Sequence, residues 1–293
     1  MTVLFRLLGQ LSLRLNHAVG AGMGWLAWCT STRHRRLTRE NIAQYGKLAR
    51  LDAYEPLVNA SIAEQGKGIT ELAIAWTAPV ERLFALVRSC TGWEHVDAAK
   101  AQQRPIIFVT PHLGCFDIAG RYLATRIPIT ALYRPPKQAW LEPLMQQGRM
   151  RGGATTAAAD ASGVRALLKT LKTGGNIMIL PDQVPSPGQG GDGVWADFFG
   201  RPAFTMTLLP RLAQSSDAAV LFFFAERLPK GAGYHVHIEP MTERYSSDKR
   251  MAARQTNAMV ERLIAMAPAQ YLWGYNRYKS PAGAPAAPSE SSQ

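Results

Sequence analysis

The sequence predicts an α/β protein with a mixed, mostly parallel central sheet flanked by helices. The first observation is Ile106-Ile107-Phe108-Val109, four consecutive apolar residues rich in β-branched types, as a strand buried on both faces requires. The second is the Thr110-Pro111 corner that closes this run and the helical look of the residues after it. The third is that two more short runs, Ile129–Tyr133 and Asn176–Leu180, follow helical stretches and end at polar or proline-bearing corners. In open α/β sheets ligands bind beyond the carboxyl ends of the strands. His112 sits at the first of these corners and Asp182, within Pro181-Asp182-Gln183, at another, so the two fall in one expected cleft.

The 293 residues are enough for one large α/β domain with a sizeable core, or for two small ones. Lys and Arg outnumber Asp and Glu by 33 to 21, a net +12, which points to an anionic partner: nucleic acid, an anionic membrane surface or an acidic protein. Nucleic acid is disfavoured because no recognised binding signature or aromatic platform accompanies the charge. Cys29, Cys90 and Cys115 are too few and too scattered for a disulfide framework or a zinc site, which fits a reducing compartment. Cys115 is flanked by bulky apolar residues where a helix would turn it inward, which argues against thiol catalysis.

Taken in order, Leu4 to Ser31 is apolar with interruptions at Arg6, Arg14, Asn16 and His17. Its cleanest piece, Ala18–Thr30, is shorter than the roughly 20 residues of a spanning helix, and no small-residue cleavage site follows. Residues 1–32 are therefore expected to form a membrane-associated helix, lying in the interface or anchoring at a tilt, with an ordinary buried helix as the plain alternative. Arg33-His34-Arg35-Arg36 follows directly, and a basic cluster beside an apolar helix marks the side facing anionic lipid and the cytoplasm. Thr38 to Trp76 is helical in pattern with expected breaks near Gly46 and Gly66-Gly68. Within it Glu71 is an odd charge on an apolar face, most simply a paired structural carboxylate. Val80–Ser89 reads as a helix and Trp93–Val96 as a strand.

His112 and Asp117 form H-x-x-x-x-D. Within one helix this spacing would separate the side chains by roughly 140°. If His112 instead precedes the first turn, its ring can fold back and Asp117 can reach Nδ1, leaving Nε2 as a base. The plain alternative is a helix-capping histidine and a solvated aspartate.

Beyond this corner, Arg134-Pro135-Pro136-Lys137 ends one strand, and a helix from Ala139 ends in Gly148-Arg149-Met150-Arg151-Gly152-Gly153. Arginines beside glycines suit forked phosphate contacts. A helix covers Ser162–Leu171. Val184–Gly193 is rich in Gly and Pro, and with the aromatic tip Phe198-Phe199-Gly200 it suggests a long mobile loop closing over the cleft. Phe204–Gln214 reads as a helix kinked or started by Pro210, Ala218–Ala225 and Tyr234–Glu239 as the last strands, and Arg250–Met266 as the last helix. His235 and His237 share a strand face without a third metal ligand nearby. Residues 280–293 are mostly Pro, Ala and Ser and are expected to be disordered, which leaves 33–279 as the main folded domain.

Read together, several segments resemble the lysophospholipid acyltransferase superfamily and, within it, the late lipid A biosynthesis acyltransferases. They are Thr38-Arg39-Glu40-Asn41-Ile42, Glu71 before Trp76, His112 with Asp117, Tyr133-Arg134-Pro135, Gly148-Arg149, Pro181-Asp182-Gln183, Phe198-Phe199-Gly200-Arg201-Pro202-Ala203, and Gln270-Tyr271-Leu272-Trp273 with Arg277 and Lys279. The resemblance implies a glycerol-3-phosphate acyltransferase-like fold. It also implies a membrane-bound enzyme at the cytoplasmic face of the inner membrane, moving a fatty acyl chain from acyl carrier protein to a hydroxyl of a lipid A precursor. Its partners would then be acyl carrier protein and anionic membrane lipid, with no cofactor and no metal. In that reading His112 is the base and Asp117 holds its ring. Arg149 or backbone N–H groups stabilise the oxyanion, Arg134 and Arg149 meet acceptor phosphates, and Asp182 orders an arginine or the acceptor. Two departures leave the acceptor open to a phospholipid or another amino-lipid. Asp117 stands where lipid A enzymes commonly carry Glu, and Gly274-Tyr275-Asn276-Arg277 replaces the usual histidine-arginine pair. The absence of G-x-S-x-G argues against a serine hydrolase, and a non-catalytic peripheral lipid-binding protein is the rival of a different class.

Overall fold

A computed structural model describes residues 2–133, 135, 136, 138–187 and 191–288. In chain order the elements are α1 (Thr2–Gln10), α2 (Leu13–Thr30), α3 (Thr32–Leu48), α4 (Glu55–Thr77), α5 (Val80–Leu86), β1 (Val87–Thr91), α6 (Trp93–Ala101), β2 (Ile106–Val109), α7 (Phe116–Ala124) and β3 (Ile129–Tyr133). They continue with α8 (Glu142–Met150), β4 (Ala154–Ala158), α9 (Ala161–Lys172), β5 (Asn176–Ile179), β6 (Gly193–Phe198), β7 (Arg201–Met206), α10 (Leu208–Gln214), β8 (Ala219–Arg227), β9 (Tyr234–Pro240) and α11 (Lys249–Met266). Seven strands form one sheet in the order β1-β9-β8-β2-β5-β3-β4, in which only β8 and β9 pair antiparallel. This is the expected α/β class with a mostly parallel sheet.

Parity along the strands divides the core between the two faces of the sheet. Ile106 and Phe108 of β2 join Leu221, Phe223 and Ala225 of β8 on one face, under α4, α7 and α8. Ile107 and Val109 join Val220, Phe222 and Phe224 on the other, with residues of α3, α9, α10 and α11. All four residues of β2 are fully buried, so the apolar run has no solvent face to alternate toward.

Several local expectations yield to tertiary context. Gly66 and Gly68 do not break α4, because α2 crosses it there at backbone contact. A Cβ on Gly66 would lie 2.0 Å from the Gly20 carbonyl oxygen and 2.7 Å from the Gly24 Cα. Trp93–Val96 is the start of α6, not a strand, since Gly92 at φ +82 turns the chain into an Ala-rich helix. The expected Val80–Ser89 helix stops at Leu86, and the chain continues as edge strand β1 beside β9. Phe204 belongs to β7, with α10 beginning only at Leu208.

The supposed lid is a hairpin. β6 and β7 pair antiparallel through a two-residue turn, Phe199 and Gly200, both at positive φ, the backbone that matches strand twist in tight hairpins. Its aromatic tip points inward, with Phe198 and Phe199 buried among Tyr45, Tyr271 and Trp273. Residues 188–190 of the preceding loop lie outside the described residues. The segment from Ser280 to Pro288 has no regular helix or strand, yet the Trp195 indole donates to the Pro285 carbonyl at 2.8 Å.

The N-terminal region is two helices rather than one, broken at Leu11-Ser12, where the Ser12 hydroxyl caps α2. Asn16 anchors α2 by donating to the Leu8 and Thr70 carbonyls. Leu4, Leu7, Leu15, Val19 and Leu26 point outward and are exposed. Among the described residues no helix is long and apolar enough to cross a membrane.

Gly66→Val should force α2 off α4 and cost about 1–3 kcal/mol. Urea denaturation of the variant against Gly68→Ala, whose added Cβ meets only the end of the Arg227 side chain, tests this; equal stability of the two would contradict the packing.

Candidate active site

The corner after β2 is held from three sides. The His112 carbonyl accepts from Leu272 N–H at 3.1 Å, Gly114 N–H donates to the Gln270 carbonyl at 3.2 Å, and Cys115 N–H donates to the Ala225 carbonyl at 2.9 Å. Gly114 has φ +57, and a Cβ there would sit 2.0 Å from the Ala225 oxygen, so both conformation and contact demand glycine. Beneath this loop lies a charged group of near-zero exposure. Glu71 accepts from Arg227 Nε at 2.8 Å and from the Tyr234 hydroxyl at 2.8 Å and pairs with His17 Nε2 at 2.7 Å, while Arg227 Nη2 donates to the Gly114 carbonyl at 2.8 Å. Glu71 is thus the paired structural carboxylate expected, and its partner is tied directly to the histidine loop.

His112 meets Asp182, not Asp117. Nδ1 lies 2.8 Å from Asp182 Oδ1, and the His112 backbone N–H donates to Oδ2 at 2.9 Å, so one carboxylate fixes both the ring and its main chain. Register explains the meeting. Val109 pairs with Ile179 in parallel strands, and each functional residue stands three positions further on. The Gln183 amide nitrogen is 3.1 Å from Nε2, the nitrogen left unprotonated when Nδ1–H donates to Asp182. The ring packs edge-on against Phe116 at 5.0 Å and its side chain is 19% exposed, so it is reachable but largely screened from water.

Burial pushes the His112 pKa down. The charge and hydrogen bond of Asp182, helped by Asp117, outweigh that and hold it above the ordinary 6.5 despite Arg149. Burial likewise pushes Asp182 up, and the His112 charge and hydrogen bonds, with Arg277, leave it below its usual value. Burial, followed by the charge of Asp182, raises the nearby Tyr271 hydroxyl well above its usual range.

Asp117 takes another partner. It sits in the first turn of α7, where its Oδ1 accepts from Arg149 Nε at 3.0 Å and Nη2 at 2.9 Å. Its Oδ2 is buried without a hydrogen bond among the described residues. The expected Asp117–His112 contact is therefore replaced by an Asp117–Arg149 pair beside the histidine. Arg134 lies outside the described residues. Cys115 is buried, and burial followed by the Glu71 charge raises its thiol well above the usual range, against a nucleophilic role.

Segments scattered in sequence converge behind the corner. Asn41 of α3 donates to the carbonyls of Trp273 and Tyr275 at 2.6 and 2.8 Å. Arg277, fully buried, donates to the Phe204 carbonyl and the Thr205 hydroxyl from beneath the hairpin. Gln183, Tyr271 and Arg277 had no stated part in positioning the histidine. The signal for them was their place in the segments that carry the family resemblance, Pro181-Asp182-Gln183 and Gln270-Tyr271-Leu272-Trp273 with Arg277.

A strand-end imidazole is thus oriented through Nδ1 by a buried carboxylate, the geometry that general-base chemistry requires. The sequence model of the family described as bacterial lipid A biosynthesis acyltransferase matches residues 1–280, and the chain belongs to that family and is an acyltransferase. It is 28% identical to the lipid A biosynthesis lauroyltransferase of Escherichia coli K12 over 94% of this chain and 89% of that protein. It is 27% identical to the palmitoleoyltransferase of the same organism over 89% of this chain and 84% of that one. A Haemophilus influenzae lipid A biosynthesis acyltransferase is 29% identical over 73% of this chain and 65% of its own length.

Glu71→Leu leaves Arg227 charged and buried without its main partner, so it should destabilise the protein by about 3–5 kcal/mol. Pairing it with Arg227→Met should recover part of the loss. Denaturation midpoints of the single and double variants check this, and additive losses would contradict the coupling.

Proposed function

We propose that the chain transfers a fatty acyl group from the thioester of an acyl carrier protein to a hydroxyl of a lipid A precursor, at the cytoplasmic face of the inner membrane. The observation that carries the reading is His112 Nδ1 held by Asp182 at 2.8 Å at the end of the central strand, in a chain of this family. His112 Nε2 takes the proton of the acceptor hydroxyl as its oxygen attacks the thioester carbonyl. The tetrahedral oxyanion collapses and expels the thiolate, which takes the proton back from the imidazolium. Asp182 keeps the ring in the Nδ1–H form and stabilises the imidazolium between the two transfers.

Asp117 acts one step removed in this reading. It orients Arg149, whose guanidinium stabilises the oxyanion or meets an acceptor phosphate, and Arg134 is a second candidate for that phosphate. Seating on the membrane is supported by the outward apolar residues of α1 and α2 and by Arg33, Arg35 and Arg36 immediately after them. The net charge of +12 suits both an anionic membrane and an acidic carrier protein.

His112→Ala should lower acyl transfer on the order of 10²–10⁴-fold, measured as thiol released from acyl carrier protein only when the lipid acceptor is present. Near-normal transfer would remove His112 from the chemistry. Because the base must be neutral and its pKa lies above 6.5, kcat/KM should fall as pH drops through a value above 6.5. Asp182→Asn should shift that acid limb to lower pH while lowering the plateau. An unmoved limb would mean that Asp182 does not set the protonation of His112.

A further inference from the structure

A second cationic pocket lies on the reverse side of α8 from Arg149. It has a volume of about 330 Å³ and is bounded by Arg6 and Gln10 of α1, Arg82 of α5, and Gln147 and Arg151 on and just past α8, with Trp76 at its wall. Gln147 and Arg149 lie two positions apart on α8, about 200° around a helix, so the face that meets Asp117 is not the face that lines this pocket.

No carboxylate is among the lining residues, and the acceptors that hold the arginines are main-chain carbonyls. Arg82 donates to the carbonyls of Gly9 and Leu11, and Arg151 to that of Thr77 at 3.2 Å. Carbonyls fix a guanidinium in place but do not neutralise it. Behind the wall a further guanidinium adds to the excess. Arg121 donates to the carbonyls of Ala75 and Ala78, while its Nε and Nη2, and the indole nitrogen of Trp76, are buried donors without partners among the described residues. Burial, then the nearby charge of Arg151, lower the Arg121 pKa to about 10. Asp117 offsets part of the Arg121 charge, but the guanidiniums that line the pocket have no carboxylate among them, and such a cluster is stabilised by a multivalent anion.

The mouth of the pocket says what kind of anion. Val3, Arg6, Leu7 and Gln10 recur at the i, i+3, i+4, i+7 spacing of one face of α1, and all four are exposed. The pocket thus opens beside apolar side chains on the surface that carries the outward leucines of α1. We propose that it is a phosphate-monoester site, filled by the headgroup of a membrane lipid whose chains lie along the exposed apolar face of α1. A monoester offers more charge and more acceptor oxygens to forked guanidinium contacts than a phosphodiester does. The site is separate from the histidine cleft and does not depend on the acyl-transfer reading.

The test uses the full chain and co-sedimentation with phosphatidylcholine vesicles containing either phosphatidic acid, a monoester, or phosphatidylglycerol, a diester, at matched surface charge. The unaltered protein should bind the phosphatidic acid vesicles several-fold more tightly. Arg6→Gln/Arg151→Gln, both at exposed positions, should weaken that binding on the order of tenfold and erase the preference. Arg33→Gln/Arg36→Gln, which removes equal charge elsewhere, should weaken binding to both vesicles alike. No preference in the unaltered protein, or a preference that survives Arg6→Gln/Arg151→Gln, overturns the proposal. Millimolar inorganic phosphate distinguishes the sources. Binding of inorganic phosphate alone by calorimetry, together with no preference for phosphatidic acid vesicles, overturns the lipid assignment in favour of free phosphate, whereas a preference that millimolar phosphate only competes down supports a lipid-borne group. Circular dichroism of each variant separates lost binding from lost folding.

Discussion

Parallel pairing of β2 with β5 sets Val109 beside Ile179, and the two chains leave the sheet side by side. Three residues later His112 and Asp182 are in hydrogen-bond contact. That contact rests on strand register, which is costly to shift because a one-residue slip would exchange the two buried faces of β2. The imidazole–carboxylate pair is thus anchored by the register of the two central strands.

The corner itself is the part under most constraint. Gly114 adopts a left-handed backbone against the Ala225 carbonyl, and the neighbouring amides and carbonyls are taken up by β8 and by Gln270–Leu272. Arg227, buried below, joins the Gly114 carbonyl to Glu71 and through it to His17 of α2. The same cluster therefore links the helix that displays apolar residues to the outside with the loop that carries the histidine. A buried ionic group of this kind contributes little net stability, since desolvation offsets most of its attraction, but it specifies one arrangement of α2, α4, β8 and the loop.

Positive charge is distributed by purpose rather than evenly. Arg149 is neutralised by Asp117, and Arg227 by Glu71 and Glu64, because each is buried where an unpaired charge would be expensive. Arg6, Arg82 and Arg151 border a cavity without any such partner among its walls, beside an apolar helix face. Arg121 and Arg277 are the exceptions in the interior, held by carbonyl, hydroxyl and amide oxygens instead of a carboxylate.

Local signals in the sequence determined the fold class, the central strand, the histidine at its end and the second acidic corner, because apolar runs and proline corners act over a few residues. The separate segments that resembled the family were legible for the same reason, and several of them meet behind one corner: Asn41 reaches Trp273, and Arg277 supports the hairpin. Tertiary structure alone decided which carboxylate serves His112. Asp117 is near in the chain but turned toward α8, whereas Asp182 is 70 residues away and adjacent in the sheet. It likewise decided that Phe198 and Phe199 are core rather than lid, and that Gly66 is a helix crossing rather than a break. Each outcome depends on which elements become neighbours, and neighbours are set by sheet order and helix packing, which no window of local sequence contains.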